Sequence, residues 1–353
     1  MLITAACLAK EPTKTVSHPA EYWESLADGV VQCHLCPREC VLRKGERGFC
    51  GARVNKDGAL YTLSYGNPIS IHVDPIEKKP FFHVYPGTSA FSIAVAGCNM
   101  RCLFCQNWEI SQARPDESLN YDLPPSAVAP AAKENQCDFV VFTYTEPTTF
   151  FEYMRDCARD ARSHGLKVGM HSCGYVNPAP LKELLQYMDA VNVDVKGFSE
   201  AFYKKMGQGA MLKPVLETLK AIHAAGVWLE LTNLVIPGEN DDPAMVKAMC
   251  VWIKDNLGTE VPLHFSRFMP AFRLQNLPPT PVSTLEECRR IAMEVGLEYV
   301  YIGNVPGHPA ENTYCPHCGK PVVRRAGYSI LENRIKKGHC EFCGWPIAGI
   351  WKD

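Results

Sequence analysis

No apolar run in this 353-residue chain approaches the ~20 residues that a membrane-spanning helix needs. A membrane-embedded role is therefore not expected. Charge of one sign is equally scarce. The formal net charge is -2, which leaves no global basic field for nucleic acid and no extended acidic tail. The stretch Met1–Ala9 is apolar but short. It has no basic leader and runs into Lys10, Glu11 and Lys14, so it does not read as a secretory signal. Internal repeats and low-complexity linkers are also missing. Apolar residues make up 46% and charged residues 21%, ordinary proportions for a globular protein. The length suits one large core with small appendages, or two ordinary domains.

Cysteine, by contrast, is abundant. There are 17, and 11 of them fall into three spaced groups. The odd count, the close Cys-x2-Cys spacings and the size of the chain argue against a disulfide scaffold. They favour metal ligation in a reducing compartment, and so a cytoplasmic protein. The remaining six, Cys7, Cys137, Cys157, Cys173, Cys250 and Cys288, read as small buried apolar residues. Cys173 stands in a more polar setting and is taken up below.

Between the cysteine-rich ends, β-type runs alternate with helix-type stretches. The runs are Phe91–Ala96, Phe139–Tyr144, Lys167–Ser172, Ala190–Val195, Trp228–Ile236, Pro262–Phe268 and Tyr299–Ile302. The helical stretches include Thr148–Ser163, Pro180–Met188, Met211–Ala225, Pro243–Asn256 and Thr284–Val295, with stops at Gly165, Gly226, Gly258 and Gly296. A further short helix is expected over Pro19–Leu26. Strands apolar on both faces, each followed by a helix, predict a parallel sheet covered by helices. About six repeats predict an α/β fold with an open or partial (β/α)6-type barrel. The predicted organisation is an N-terminal four-cysteine module over 1–65, the barrel over 66–308, and a zinc-ribbon or rubredoxin-like module over 309–353. In such barrels chemistry gathers at the C-terminal ends of the strands. Cys98, Glu146, Ser172, Asp194, Asn233 and Arg267 fall at or near those ends.

The segment Gly97-Cys98-Asn99-Met100-Arg101-Cys102-Leu103-Phe104-Cys105 follows the first strong strand. Three thiolates within eight residues can cap three corners of an iron–sulfur cube and leave the fourth iron without a protein ligand. Zinc is the competing occupant, but it takes four ligands and usually pairs of Cys-x2-Cys. On either side the ligand sets are full. Cys33, Cys36, Cys40 and Cys50 can close a tetrahedral zinc or a second 4Fe–4S cluster, with turns at Gly45 and Gly48 bringing Cys50 back. Cys315-x2-Cys318 and Cys340-x2-Cys343 form two knuckles, each followed by glycine (Gly319, Gly344). That is the signature of a zinc ribbon, with a single iron as the alternative. Such a small module needs a metal staple. Its basic residues Arg324, Arg325, Arg334, Lys336 and Lys337 read first as a solvated face and second as a docking surface. A weak RNA contact stays open as a further use.

Cys-x3-Cys-x-aromatic-Cys is the signature of the radical SAM superfamily, which this chain resembles most in the branch that includes pyruvate formate-lyase activating enzyme. The resemblance implies that Cys98, Cys102 and Cys105 hold a 4Fe–4S cluster whose open iron chelates S-adenosylmethionine (SAM). It places the backbone near Phe104 against the adenine. It gives the SAM amino group to a Gly-Gly-Glu-Pro-like segment, which here reads Tyr144-Thr145-Glu146-Pro147. Glu146 and the Thr145 carbonyl carry over, while Tyr144 and Thr145 stand where the family has glycines. His171-Ser172-Cys173 resembles the polar segment near the SAM methionine, and Asp194-Val195-Lys196 the Asp-x-Lys of the activating enzymes. Asn233 and His264 sit on later strands. A zwitterionic sulfonium needs acceptors for its ammonium, donors for its carboxylate and an apolar slot for adenine, and Glu146, Lys196, Asn233 and Ser172 are suitable types. The plainer alternatives are that Asp194 and Lys196 simply pair, that His171 and His264 are structural, and that Cys173 is a core thiol.

A finer resemblance rests on Cys33-His34-Leu35-Cys36-Pro37-Arg38-Glu39-Cys40, on Gly45-Glu46-Arg47-Gly48-Phe49-Cys50-Gly51, on His264-Phe265-Ser266-Arg267-Phe268 and on the tail from Asn312 to Trp351. It is similar to the radical SAM enzymes of the AmmeMemoRadiSam system. That implies Memo-like and Ammecr-like partners and an electron donor of flavodoxin or ferredoxin type, and it supplies no substrate. Three readings follow: a radical SAM enzyme acting on an unidentified substrate, an activase acting on a protein glycyl residue, and a non-catalytic metal-binding adaptor.

Overall fold

Runs of Val, Ile, Phe and Ala that are buried on both faces build one eight-stranded sheet. Its strands are β1 (Ser70–Pro75), β2 (Ser89–Ala94), β3 (Phe139–Phe142), β4 (Lys167–Ser172), β5 (Ala190–Asp194), β6 (Trp228–Val235), β7 (Leu263–Arg267) and β8 (Val300–Gly303), adjacent in chain order. β1 pairs antiparallel with β2, and every other neighbouring pair is parallel. β1 and β8 are free edges, so the barrel is open. The structure is a computed structural model that describes residues 17–352 and the backbone of Glu11–Pro12. Cys7 and the Met1–Ala9 stretch lie outside the described residues.

Helices follow the strands in turn: α1 (Pro125–Glu134), α2 (Phe151–Ser163), α3 (Pro178–Leu184), α4 (Glu200–Met206), α5 (Leu212–Ala224), α6 (Pro243–Leu257) and α7 (Val282–Val295). With α4 and α5 both after β5, the order is six β/α repeats closed by β8, as the sequence predicts. Local signals set the ends. Asp242 caps α6 by accepting from Met245 N at 2.9 Å. Gly296, at φ 105°, ends α7. α2 buries Phe151, Met154, Cys157, Ala158 and Ala161, a helical stripe facing the sheet. The other scattered cysteines among the described residues, Cys137, Cys173, Cys250 and Cys288, are buried as well.

The expected helix over Pro19–Leu26 is absent. Trp23–Ser25 is instead a strand paired with Val31–Cys33, followed by a 3-10 turn at Ala27–Gly29. Tyr22 sits at φ 54°, which breaks any helix there. So short an isolated helix is marginal, and strand pairing satisfies the same backbone groups. Among the described residues the N-terminal module has no separate core: Ala20, Val31, Leu35, Leu42 and Leu60 belong to the same packed cluster as the barrel. Arg53 and Glu152 form a buried ion pair across that junction. The C-terminal module has a small core of Val322, Val323, Ile335 and Ile347, which packs on Phe82, Tyr299 and Tyr301 of the barrel. Among the described residues no helix is long and apolar enough to cross a membrane.

Candidate active site

The strand ends converge on a cavity of about 360 Å³. β2 delivers the first ligand group. Just beyond it Gly97 takes φ 106°, and a Cβ there would lie 2.6 Å from the Cys50 carbonyl oxygen. Only glycine fits this turn, which sends Cys98, Cys102 and Cys105 into the cavity wall. Met100 N donates to Cys98 Sγ at 3.4 Å, and Ser111 Oγ lies 3.3 Å from Cys105 Sγ. Burial raises the Cys98 thiol well above its ordinary value and pushes Cys102 up to about 11, with Lys196 pulling against the latter. Buried thiolates on this wall therefore need a cationic centre to form, which a metal cluster supplies. Among the described residues, the three are not drawn within the 4.8 Å spacing of a single-ion site. Thiols spread over one wall fit the separate corners of a 4Fe–4S cube.

Opposite them stand the polar strand ends. The Glu146 carboxylate is buried and accepts from Ser172 Oγ at 2.7 Å, Thr148 Oγ1 at 2.8 Å and Thr148 N at 3.1 Å on Oε1. Cys173 N donates to Oε2 at 2.7 Å. Thr145 Oγ1 donates to the Val95 carbonyl at 2.8 Å, which pins this loop to β2. Asp194 accepts from Lys196 Nζ at 2.8 Å and from His171 Nε2 at 2.9 Å. Burial opposes its ionisation, but Lys196 and His171 hold its carboxyl well below the usual range. Lys196 Nζ also lies 5.9 Å from the Phe104 ring centroid. Cys173 is a wall thiol here, donating to Asn99 Oδ1 at 3.5 Å.

Of the residues the sequence nominates, Phe104, Thr145, Glu146, Ser172, Asp194, Lys196 and His264 line this cavity together with the three cysteines. Asn233 and Arg267 do not. Strand side chains alternate, and on β6 and β7 the inward positions are Thr232, Leu234, His264 and Ser266. Asn233 Nδ2 donates instead to the Val195 carbonyl at 2.7 Å, and Arg267 Nε to Thr280 O at 2.8 Å. Strand register thus turns both side chains away from this cavity. Sequence reading missed the segment Ile76–Thr88, which brings Glu77, Pro80 and Phe82 into the cavity. It also missed Glu230, which accepts from His264 Nε2 at 2.7 Å, Phe82 N at 3.0 Å and His83 N at 2.9 Å. Tyr328, from the C-terminal hairpin, reaches the rim.

The C-terminal cysteines are drawn together closely enough to hold a single metal ion. Their sulfurs lie within 4.8 Å of one another, with Cys315–Cys343 at 3.7 Å and Cys318–Cys340 at 3.8 Å. A tetrahedron with metal–sulfur bonds of about 2.3 Å has edges of about 3.8 Å. Backbone N–H groups of Lys320 and Trp345 point at Cys318 and Cys343, the former bringing the Cys318 thiol down to about 7. The expected five-residue basic face is not one surface. Arg325 is buried, donating to Phe82 O at 2.7 Å and Thr313 Oγ1 at 2.8 Å. Arg334 pairs with Glu332 and Glu341. The N-terminal four, Cys33, Cys36, Cys40 and Cys50, line a separate, small cavity of about 20 Å³.

Residues 92–248 match the sequence family described as the radical SAM superfamily. An uncharacterized protein of Methanocaldococcus jannaschii is 46% identical over 330 residues, 93% of this chain and 98% of that one. The pyruvate formate-lyase 1-activating enzyme of Escherichia coli K12 is 22% identical over 219 residues, 58% of this chain and 89% of the enzyme. Among solved structures, a radical SAM methyltransferase from Sphaerobacter thermophilus covers 64% of this chain and 71% of its own at 13% identity, with a TM-score of 0.49.

Proposed function

Because the chain belongs to the radical SAM superfamily and is an enzyme of that kind, we propose that Cys98, Cys102 and Cys105 hold a 4Fe–4S cluster at which SAM is bound and reductively cleaved. The observation that carries this reading is the shared cavity, in which the thiols, Glu146, the Asp194–Lys196 pair and the Phe104 segment face one another. A cluster held by Cys98, Cys102 and Cys105 would supply the one electron that reductive C5′–S cleavage of SAM needs, giving methionine and a 5′-deoxyadenosyl radical. The chain's own residues position the reactants and keep water away. Glu146 Oε1 is filled by three donors, but Oε2 takes only Cys173 N and keeps capacity for an ammonium. Lys196 spends one N–H on Asp194 and has others to offer a carboxylate. Phe104, Met100 and Leu234 supply apolar wall for the adenosine. His264, Ser266, Asn304 and Tyr328, on the far strands and the C-terminal hairpin, are left to face the molecule from which hydrogen is taken.

Anaerobic reconstitution with iron and sulfide, then dithionite and SAM, tests this. The full chain is expected to release 5′-deoxyadenosine, and Cys102→Ala to release none while its zinc content is unchanged. A reconstituted protein that carries the cluster yet yields no 5′-deoxyadenosine sinks the reading. For the C-terminal four cysteines zinc is the proposed ion, with a single iron as the alternative; elemental analysis should return about one zinc per chain, and about one iron there instead would overturn the zinc. The cysteine spacings and the His264–Phe268 segment support membership of an AmmeMemoRadiSam-type system with Memo-like and Ammecr-like partners. Co-purification from cells that express all three tests that pairing.

A further inference from the structure

We propose that Cys33, Cys36, Cys40 and Cys50 hold a second 4Fe–4S cluster, fully ligated by protein, placed directly behind the loop that carries the central cysteines.

The spacing comes first. Cys33-x2-Cys36-x3-Cys40 puts three thiols into eight residues, and Cys98-x3-Cys102-x2-Cys105 does the same in mirror order. A spacing that serves three corners of a cube in one place serves them in the other. The difference is Cys50, which supplies the fourth corner and closes the site.

Geometry separates this site from zinc. One structure holds two four-cysteine groups, and they differ. The C-terminal four converge to within 4.8 Å, while among the described residues no three of the N-terminal four do so. A single tetrahedral ion demands edges of about 3.8 Å. A cube binds each thiolate to a different iron, which holds the sulfurs further apart. Even so, the four N-terminal thiols line one enclosed space with Arg38, Arg53 and Asn99. They share a centre without collapsing onto a point.

The surroundings suit an anionic iron–thiolate group. Arg53 Nη1 donates to Cys33 Sγ at 3.5 Å, and Phe49 N to Cys40 Sγ at 3.4 Å. Such donors to cluster sulfurs stabilise the extra electron of the reduced state. The Arg38 guanidinium lies 3.9 Å from the Phe49 ring centroid and donates to the Asn99 carbonyl at 3.0 Å.

Position assigns the role. The Cys50 carbonyl packs against Gly97, the residue before Cys98, so closely that no Cβ would fit between them. Asn99 lines the N-terminal cavity, and its side chain accepts from Cys173, on the wall of the central one. The two cysteine groups thus meet at one loop, through Gly97 and Asn99. A one-electron donor of the flavodoxin or ferredoxin class can reduce the outer cluster by one electron. That electron then passes inward to the central cluster, beside the separate cavity that takes SAM. This role rests on the central cluster; the presence of the outer one does not.

The test uses the full chain. Cys98→Ala/Cys102→Ala/Cys105→Ala, reconstituted anaerobically with iron and sulfide, should hold about four irons and four sulfides and about one zinc. Its reduced electron paramagnetic resonance signal should be indifferent to SAM. Wild type should hold about eight irons. Cys36→Ser/Cys50→Ser should hold about four, with a signal that SAM does perturb, which also shows that this variant folds. In that variant, turnover driven by reduced flavodoxin should fall at least tenfold relative to turnover driven by dithionite. A triple variant carrying a second zinc and no iron, or only two irons, overturns the cluster. Equal loss with both reductants overturns the relay. Because the triple variant lacks the central site, failure there leaves the assignment of Cys98, Cys102 and Cys105 standing.

Discussion

Tyr144 stands where the resembling family carries glycine, and it takes a backbone conformation that glycine takes without cost. Its φ is 68°, a region that costs an L-residue about 1–2 kcal/mol. Its side chain offsets that. The hydroxyl donates to Asp74, and Lys79 Nζ donates to the hydroxyl at 2.9 Å and lies 4.0 Å from the ring centroid. Burial opposes the Asp74 charge, yet Lys79 and Lys78 hold its carboxyl below the usual range. The departure from Gly-Gly-Glu-Pro thus keeps the backbone path and changes what anchors it. Tyr144→Phe should cost about 1–3 kcal/mol, because it leaves the buried Asp74 and Lys79 each one partner short. The urea midpoint checks this, with cluster content expected to be unchanged. An unchanged midpoint would mean that the anchor carries nothing.

At the scale of elements, the barrel was readable because a strand buried on both faces leaves a continuous apolar run. Lys167–Ser172 emerges with the same bounds as its run, and the others shift by no more than two residues. What a continuous run conceals is which side chains point inward. Asn233 therefore lies off the cavity while its neighbours Thr232 and Leu234 face it. The segment Ile76–Thr88 was unreadable for a different reason: it is irregular, and its backbone is satisfied by distant partners such as Glu230 and Ile350. That segment also yields a pH prediction. Burial pushes the Glu77 carboxyl from 4.5 up to about 7. The folded state therefore holds a proton there that the unfolded state has released, and stability falls as pH rises from about 4.5 to about 7. Glu77→Gln should remove that decline, worth about 3 kcal/mol across the window. Denaturation midpoints measured through this range check it, and parallel profiles for the two proteins would refute it.

At the scale of the molecule, both ends of the chain fasten onto the same barrel. The N-terminal end is held by Arg53, whose side chain is 1% exposed, paired with Glu152 at 0%. Removing one partner of such a pair strands the other charge. Arg53→Ala should destabilise the chain by about 3–5 kcal/mol, read by denaturant unfolding, and Arg53→Lys should recover only part of that loss. A drop below 1 kcal/mol would show water reaching the gap. The second fastening is Arg38, which donates to the carbonyls of Gly207, Gln208 and Gly209. Those carbonyls leave the ribosome roughly 170 residues after Arg38 itself. For that interval the nascent N-terminal segment lacks this clasp. The N-terminal module can therefore close onto the barrel only late in synthesis, once the 207–209 carbonyls have emerged to receive Arg38.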